Sequence, residues 1–186
     1  KIQDLSFQEI AYQVADCFFG EDVEAEALRK IVYDTLSFDV PAVKVTDNIF
    51  SLELFHGPTL AFKDVGARFM ARLLQWTLSP LSLKGESQVN VLVATSGDTG
   101  SAVANGFLGV EGIHVYVLYP KGKVSPIQEC QFTTLGQNIT AIEVDGVFDD
   151  CQALVKSAFM DKELNEHMQL TSANIINVAR FLPQSF

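Results

Sequence analysis

The sequence has no long hydrophobic run. Its purely apolar stretches, such as residues 91–94, extend over only a few positions, whereas a helix that crosses a bilayer needs about 20. Residues 1–8 contain no apolar segment with a cleavage pattern of the kind that marks a secretory signal. The sequence therefore predicts a cytoplasmic protein with no membrane partner.

Basic residues are scarce. The chain has 13 Lys and Arg against 23 Asp and Glu, which gives a formal net charge of -10. The basic residues are scattered, so they form no stripe that could neutralise a phosphate backbone, and we expect no nucleic-acid partner. A hydrophobic fraction of 48% with 19% charged residues is ordinary for a folded domain, which argues against disorder.

Cysteines are few and odd in number. Cys17, Cys130 and Cys151 are widely spaced, and each lies in a helical pattern. This arrangement is typical of buried thiols in a reducing compartment and not of a disulfide framework. We predict neither disulfides nor a metal site.

Two amphipathic helices are predicted near the start of the chain. Ser6 followed by Glu9 is a capping-box pattern, and apolar residues then recur every four positions until Gly20. Asp22 is the expected cap of the second helix. Pro41 is expected to end the helices, and the chain then becomes extended. We assign residues 1–45 to an N-terminal helical region and interpret residues 1–40 as a packing cap.

A strand, a loop and a helix are predicted over residues 46–84. Apolar and polar residues roughly alternate over 50–55, which indicates a strand. After a loop, apolar residues at helical spacing predict a helix that begins near Lys63 and runs to about Leu78. Residues 77–88 are interpreted as a connection.

Strands and helices alternate over residues 85–168. Such alternation predicts an α/β fold with a parallel sheet and helices on both faces. In open sheets of this kind, ligands bind beyond the carboxyl ends of the strands. The predicted strands are 89–95, 114–120 and 139–144, and the predicted helices are 99–108, 125–135 and 148–159.

The turn over residues 94–101 has the features of an anion site. Gly97 and Gly100 allow close approach of the backbone, and the following helix offers free N–H groups. The turn matches neither common nucleotide-binding fingerprint. Binding of a carboxylate or phosphate is favoured, and simple capping of the helix by Asp98 or Thr99 is the alternative.

Lys63 lies in an apolar loop at residues 56–64. Partial desolvation disfavours an ammonium group, and a neutral amine can attack a carbonyl to form a Schiff base. The alternative is a surface lysine paired with Asp64 or a neighbouring carboxylate. We interpret His56 as a hydrogen-bonded structural residue.

Two later segments bring cations to strand ends. Residues 119–126 contain Lys121 and Lys123, and residues 171–180 combine asparagines with Arg180. Lysine and arginine around one anion would suit a phosphate group. Each segment alone is also typical of a solvated surface.

Five sequence strings together resemble one enzyme family. HGPTLAFKD, ATSGDTGSA, YPKGKVSPIQ, GVFDDCQALVKSAF and SANIINVARFLPQ occur in the order and spacing of the threonine synthases of bacteria and fungi. The resemblance implies a pyridoxal-phosphate lyase of the tryptophan-synthase-like fold type II. Its reaction would convert O-phospho-L-homoserine and water into L-threonine and phosphate, in a monomer or homodimer.

The resemblance also implies a role for each motif. Lys63 would hold pyridoxal 5'-phosphate and move protons at the substrate carbons. Asp98 would lie close to the phenolic oxygen of the cofactor. The expected substrate-carboxylate contacts are Thr95, Ser96, Gly97 and Thr99, and the expected substrate-phosphate contacts are Lys123, Asn174 and Arg180.

The chain departs from the family pattern at one position of the last motif. The family string reads S-A-N-S-I-N, whereas this chain has Ile175 in place of the second serine. The loss of one hydroxyl donor leaves open a related phospho-lyase that forms 2-oxobutyrate. A non-catalytic α/β module that binds an anion at residues 95–99 is a further alternative.

The family pattern also includes segments that this chain lacks. Family members are more than twice as long, and their glycine-rich loop for the cofactor phosphate is not found here. We therefore expect an amino-terminal fragment whose fold is incomplete at the carboxyl end, with 169–186 as the start of a larger domain. It should bind the cofactor weakly, turn over no substrate and leave Phe181, Leu182 and Phe186 without neighbours.

Overall fold

The computed structural model describes residues 2–82, 88–174 and 177–186. The first part of the chain contains three helices and a β-hairpin, and the second part alternates between strands and helices. In chain order the first part consists of α1 Phe7–Phe19, α2 Ala25–Thr35, β1 Ala42–Thr46, β2 Ile49–Leu52 and α3 Lys63–Ser82. The second part consists of β3 Val89–Ala94, α4 Asp98–Phe107, β4 Ile113–Pro120, α5 Pro126–Thr133, β5 Ile139–Val144, α6 Phe148–Met160, α7 Lys162–His167, β6 Gln169–Ser172 and α8 Val178–Phe181.

The start of α1 is confirmed and the start of α2 is corrected. Ser6 Oγ accepts a hydrogen bond from the N–H of Glu9, and the Glu9 carboxylate accepts one from the N–H of Ser6 at 2.7 Å. The second helix begins after Glu24 with no side-chain cap. Asp22 is not the cap, because it lies two residues before Glu24, which occupies the N-cap position.

The first two helices pack on α3. Leu28, Val32 and Ala15 are fully buried in one apolar cluster with Phe69 of α3. Arg68 of α3 donates hydrogen bonds to the carbonyls of Thr35 and Asp34 at the end of α2, where helical carbonyls lack partners within the helix. The N-terminal helices therefore brace the helix that begins at Lys63.

The hairpin of β1 and β2 differs from the prediction. The strand predicted at 50–55 is β2, which ends at Leu52. Strand β1 lies where extended chain was expected after Pro41, but it was not predicted as a strand. The two strands pair antiparallel, with Val43 opposite Ser51. All residues of both strands are exposed, so neither face of the hairpin packs against the core. The hairpin therefore lacks the buried face that a half-buried strand has.

Four strands form a parallel sheet in the order β5-β4-β3-β6. The predicted alternation is confirmed, and the ends of its elements shift by at most a few residues. Because β6 pairs with β3, the sheet continues past residue 168, where we placed the end of the small domain. The division of the chain into domains stays a prediction.

Helices cover both faces of this sheet, as predicted. Val91 and Val93 pack in the main core with residues of α4. Leu92 points to the other side, since side chains alternate along a strand, and it lines a cavity together with residues of α6. The sheet is thus held between α4 and α6.

Three smaller expectations need correction. Helix α3 runs to Ser82, so residues 77–82 are helical, and residues 83–87 lie outside the described residues. Of the cysteines only Cys151 is buried, because Cys17 and Cys130 are on exposed helix faces. Among the described residues, no helix is long and apolar enough to span a membrane, and no group of three or more His, Cys, Asp or Glu could hold a metal ion.

The carboxyl-terminal residues are better packed than expected. Phe181 is exposed, as predicted, but Leu182 is buried. The ring of Phe186 contacts Phe69 edge-on at 5.6 Å between centroids. These two residues find neighbours because the chain returns to α3 after α8.

Candidate active site

Lys63 and the turn after β3 meet at the carboxyl edge of the sheet. Lys63 is the first residue of α3, and its Nζ donates a hydrogen bond to Thr99 Oγ1 at 2.9 Å. The same Nζ forms an ion pair with Asp98 Oδ2 at 2.9 Å, and the Lys63 side chain is 19% exposed. The lysine is therefore partly buried, and its carboxylate partner is Asp98.

Asp64 does not pair with Lys63 but accepts hydrogen bonds within the loop before it. Its carboxylate accepts hydrogen bonds from Thr59 N at 2.8 Å and from Thr59 Oγ1 at 2.5 Å. Both residues are buried. Gly57 packs so closely on this carboxylate that a Cβ there would overlap Asp64 Oδ2. The loop before Lys63 is thus folded around the Asp64 carboxylate.

Thr95 shapes the turn that faces Lys63. Its buried hydroxyl accepts hydrogen bonds from Gly97 N at 2.9 Å and Gly100 N at 2.7 Å, and it donates to Gly97 O. Thr95 therefore caps the first turn of α4, and Asp98 contributes as well, because its Oδ1 accepts a hydrogen bond from Thr99 N at 3.1 Å. The Thr95 hydroxyl is fully used inside the turn, while the place of Thr95 among the substrate contacts stays a prediction.

Ser96 is the outward-facing residue of this turn. It is exposed, and among the described residues its N–H and hydroxyl have no hydrogen-bond partner. Gly97 follows with φ of 145°, a conformation that strongly favours glycine. Helix α4 begins immediately afterwards, so the turn can present the N–H and hydroxyl of Ser96 and the positive end of a helix dipole to an anion.

Gln128 supports the turn and was missed by the sequence reasoning. A Cβ on Gly97 would overlap Gln128 Oε1, which shows that the amide packs flat against the turn. Ser125 Oγ donates to the same oxygen at 3.1 Å, and Ser101 Oγ donates to Gln128 O at 3.2 Å. The available signal was the S-P-I-Q string, in which serine and glutamine stand three residues apart at a helix start.

The charges around Lys63 are set by opposing effects. Burial raises the pKa of Asp98, but the hydrogen bond and charge of Lys63, with the N–H of Thr99, outweigh it and leave that pKa lowered. Asp98 is therefore an anion at neutral pH. Burial lowers the pKa of Arg180 to about 10, partly opposed by the charge of Asp98, so Arg180 remains a cation.

A cavity of about 240 Å³ opens beside Lys63. Arg180 lines this cavity and is 1% exposed. Its Nη1 donates a hydrogen bond to Ala173 O, and its Nε has no hydrogen-bond partner in the described structure. The backbone of Arg180 reaches this place because Gly66 lacks a side chain, since a Cβ there would overlap Arg180 O. The lining residues are Lys63, Leu92, Val93, Ala94, Thr99, Phe148, Gln152, Val155, Lys156, Ser172, Ala173, Asn174 and Arg180.

The structure brings together some of the predicted site residues and not others. Lys63, Thr99, Asn174 and Arg180 line the cavity. Lys123 is exposed in the loop after β4 and lies outside this lining. Ile175 lies outside the described residues, so the effect of having isoleucine in place of serine stays a prediction.

His56 has the structural role that we predicted for it. Its Nε2 lies 2.7 Å from Glu53 Oε2, and its ring stacks on that of Phe55. The described contacts of its side chain are therefore with its own loop.

Threonine synthases resemble this chain in sequence and in fold. No family model matches the chain, but the threonine synthase of Serratia marcescens is 52% identical over 172 residues, which are 92% of this chain and 39% of that protein. The solved threonine synthase of Escherichia coli superposes with a TM-score of 0.86 at 46% identity and covers 98% of this chain and 41% of that one. The threonine synthase of Brucella melitensis, solved with pyridoxal phosphate bound, gives 0.88 at 38% identity, over 98% of this chain and 40% of that one.

The similarity extends over nearly all of this chain but over less than half of each relative's length. The chain spans about two fifths of the length of the curated relatives it matches. The predicted family resemblance and the predicted fold are confirmed.

Proposed function

We propose that this chain is part of a threonine synthase, a pyridoxal-phosphate enzyme that converts O-phospho-L-homoserine and water into L-threonine and phosphate. One observation carries the proposal. Lys63 Nζ is held 2.9 Å from both Thr99 Oγ1 and Asp98 Oδ2 at the wall of a cavity that Arg180 also lines. The similarity to threonine synthases, one of them solved with pyridoxal phosphate bound, supports it.

The residues of the cavity fit one side of the cofactor. Lys63 would hold it covalently through Nζ, and Ala94 and Ala173 leave apolar space beside the amine for a flat ring. Asp98 is the residue that we propose to lie beside the phenolic oxygen of that ring. When bound, the cofactor supplies an electron sink that lowers the cost of removing a proton from the substrate.

Lys63 is also the proposed proton carrier. An amine on a flexible side chain can reach several adjacent carbon atoms, and its partial burial removes competing water. The Asp98 carboxylate lies 2.9 Å from Nζ, and Thr99 Oγ1 accepts a hydrogen bond from it at the same distance. These two partners would hold Nζ in position between successive proton transfers.

The turn over 95–99 is the proposed site for the substrate carboxylate. The free N–H and hydroxyl of Ser96 and the amino end of α4 provide donors and a positive dipole. Thr95 and Gln128 hold this turn from behind. The substrate would thus be anchored at one end before its other end reacts.

The opposite end of the substrate carries phosphate, which must leave as an anion. We propose that Arg180 and Asn174 stabilise the departing group from the cavity wall, and that Lys123 contributes from its exposed loop. The planar guanidinium is suited to two phosphate oxygens at once. The buried Nε of Arg180 is a donor that this role would satisfy.

Trapping of the cofactor tests the proposal on this chain. After incubation with pyridoxal phosphate and reduction with borohydride, intact mass and peptide mapping should locate the adduct at Lys63. A non-catalytic module that uses only the 95–99 turn predicts labelling spread over the other lysines. Such spread labelling would contradict a formed cofactor site.

The reaction itself is tested on the longest native polypeptide that contains this chain. Supplied with pyridoxal phosphate and O-phosphohomoserine, it should release threonine and phosphate in equal amounts. Release of 2-oxobutyrate instead would favour the phospho-lyase that the serine-to-isoleucine departure at Ile175 suggests.

We also propose a cytoplasmic monomer or homodimer that binds a small substrate and neither nucleic acid nor membrane. The net charge of -10 supports the exclusion of polyanions. Light scattering of the purified protein would establish its oligomeric state.

A further inference from the structure

One wall of the cavity beside Lys63 is formed by α6. Its lining residues Phe148, Gln152, Val155 and Lys156 are spaced by four, seven and eight positions from the first. This spacing places them on one face of the helix. The G-V-F-D-D-C-Q-A-L-V-K string therefore contributes a continuous face to the candidate active site.

The charges on the cavity wall are all of one sign. The lining contains three cations, Lys63, Lys156 and Arg180, and no carboxylate. Lys63 is paired with Asp98, but Arg180 donates only to a neutral carbonyl, and Lys156 forms no ion pair among the described residues. The cavity wall therefore carries two cations, Lys156 and Arg180, that form no direct ion pair among the described residues, in a chain with 23 acidic residues.

Arg180 shows that this wall is set up for an anion. Its side chain is almost wholly buried, yet its Nε has no hydrogen-bond partner in the described structure. A buried donor without a partner is costly unless a ligand satisfies it. An anion with several oxygens could accept from Arg180 and from a second cation at the same time.

We infer that Lys156 is a binding residue for the phosphate group of the substrate and acts with Arg180 across the cavity. The inference rests on the proposed function and adds α6 to the residues that recognise the substrate. Lys156 would be the second cation in the cavity lining, after Arg180, that binds the phosphate group, because Lys123 lies outside the lining. Lys156 is then a residue that favours the phosphorylated substrate over free homoserine.

The activity test compares two lysines of similar exposure. Lys156→Met removes the charge and keeps most of the side-chain length, and Lys162→Met makes the same change at the start of α7, outside the cavity lining. In the longest native polypeptide, loaded with cofactor, Lys156→Met should raise KM for O-phosphohomoserine about 10-fold or more with a smaller change in kcat. Lys156→Arg should restore most of the loss, and Lys162→Met should behave as the unsubstituted protein.

A binding test separates this inference from the reaction. Inorganic phosphate is titrated by calorimetry into this chain and its Lys156→Met, Lys162→Met and Arg180→Met variants. Weaker binding of about 10-fold for the first and third variants, with no change for the second, would support the inference even if no threonine were formed. Thermal melts of each variant verify that it is folded.

Two results would overturn the inference. Equal phosphate affinity of the folded Lys156→Met and Lys162→Met variants would show that Lys156 does not bind the anion. Equal KM values in the cofactor-loaded protein would do the same for the substrate. If the unsubstituted longest native polypeptide formed no threonine, or if this chain did not trap cofactor at Lys63, the proposed function would be overturned instead.

Discussion

Lys63 Nζ and Asp98 Oδ2 lie 2.9 Å apart, although the two residues belong to helices that begin 35 positions apart in the chain. The pair joins the loop that ends at α3 to the turn that starts α4. The reactive amine therefore takes its position from two separate elements. Predictions about the site can be tested at either partner or at the residues that hold the two elements.

Removal of the amine should abolish trapping of the cofactor. Lys63→Ala leaves no group to form the covalent link, and Lys63→Arg keeps the charge beside Asp98 without a suitable nucleophile. We expect neither variant to give a borohydride-stable adduct by intact mass. In the longest native polypeptide, threonine formation should fall by about 10² to 10⁴-fold in both. An adduct of unchanged yield in Lys63→Ala would contradict the assignment.

The Lys63–Asp98 pair should weaken in acid. Because the pKa of Asp98 is lowered in the folded protein, the pair stabilises the fold above the unfolded value near 3.8 and is lost as pH falls through the folded pKa. The difference in unfolding free energy between the protein and its Asp98→Asn variant should therefore be largest near neutral pH and shrink on acidification. Urea melts at several pH values measure it. A difference that stays constant with pH would mean that the pair does not form in solution.

The Asp64 carboxylate should be important for stability. Asp64→Ala removes the acceptor of two hydrogen bonds and leaves the buried N–H of Thr59 without a partner, which should cost about 1.5 to 3 kcal/mol. Thr59→Val removes one of the two bonds and should cost less, while Thr59→Ser should be close to neutral. Chemical denaturation measures all three. Equal effects of Asp64→Ala and Thr59→Val would show that the backbone bond contributes nothing.

Gly97 should tolerate a side chain less well than a comparable glycine. Gly97→Ala introduces both backbone strain and overlap with Gln128, whereas Gly112→Ala introduces strain at φ of 76° with no atom within 4 Å. We expect about 1 to 3 kcal/mol for backbone strain in each and an additional loss only for Gly97. Adding Gln128→Ala to Gly97→Ala should recover that additional loss. Thermal or chemical melts of the four proteins provide the comparison.

Much of the sheet could be predicted because its strands are short apolar runs between helical patterns. The runs that became β3 and β4 are largely buried on both faces, and burial leaves a signal in the sequence. Strand β5 was predicted from its apolar run between two helical patterns, although only Ile139 in it is buried. The exposed hairpin strand β1 carries no such signal and was missed. Pairing of β6 with β3 depends on contacts between residues about 80 positions apart, which periodicity alone does not reveal.

The site was predicted to a similar degree. The general rule for the carboxyl ends of parallel strands places the turn at Asp98 and Thr99. Lys63 follows the separate hairpin, so its meeting with this turn was implied only by the family resemblance. The choice between Asp64 and Asp98 as the partner could not be made from the sequence, because it depends on a loop that closes around Asp64. The face that α6 presents to the cavity likewise depends on how that helix crosses the sheet.

Gly66 lies in contact with the backbone of Arg180, and this contact links two positions that are 114 residues apart in the chain. Any side chain at position 66 would push α8 away from α3, and the guanidinium would move with it. Among evolving relatives, the identity of this residue should therefore change together with the placement of the arginine. In a chain of this fold with a larger residue at the equivalent position, we expect a group other than this arginine to bind the phosphate.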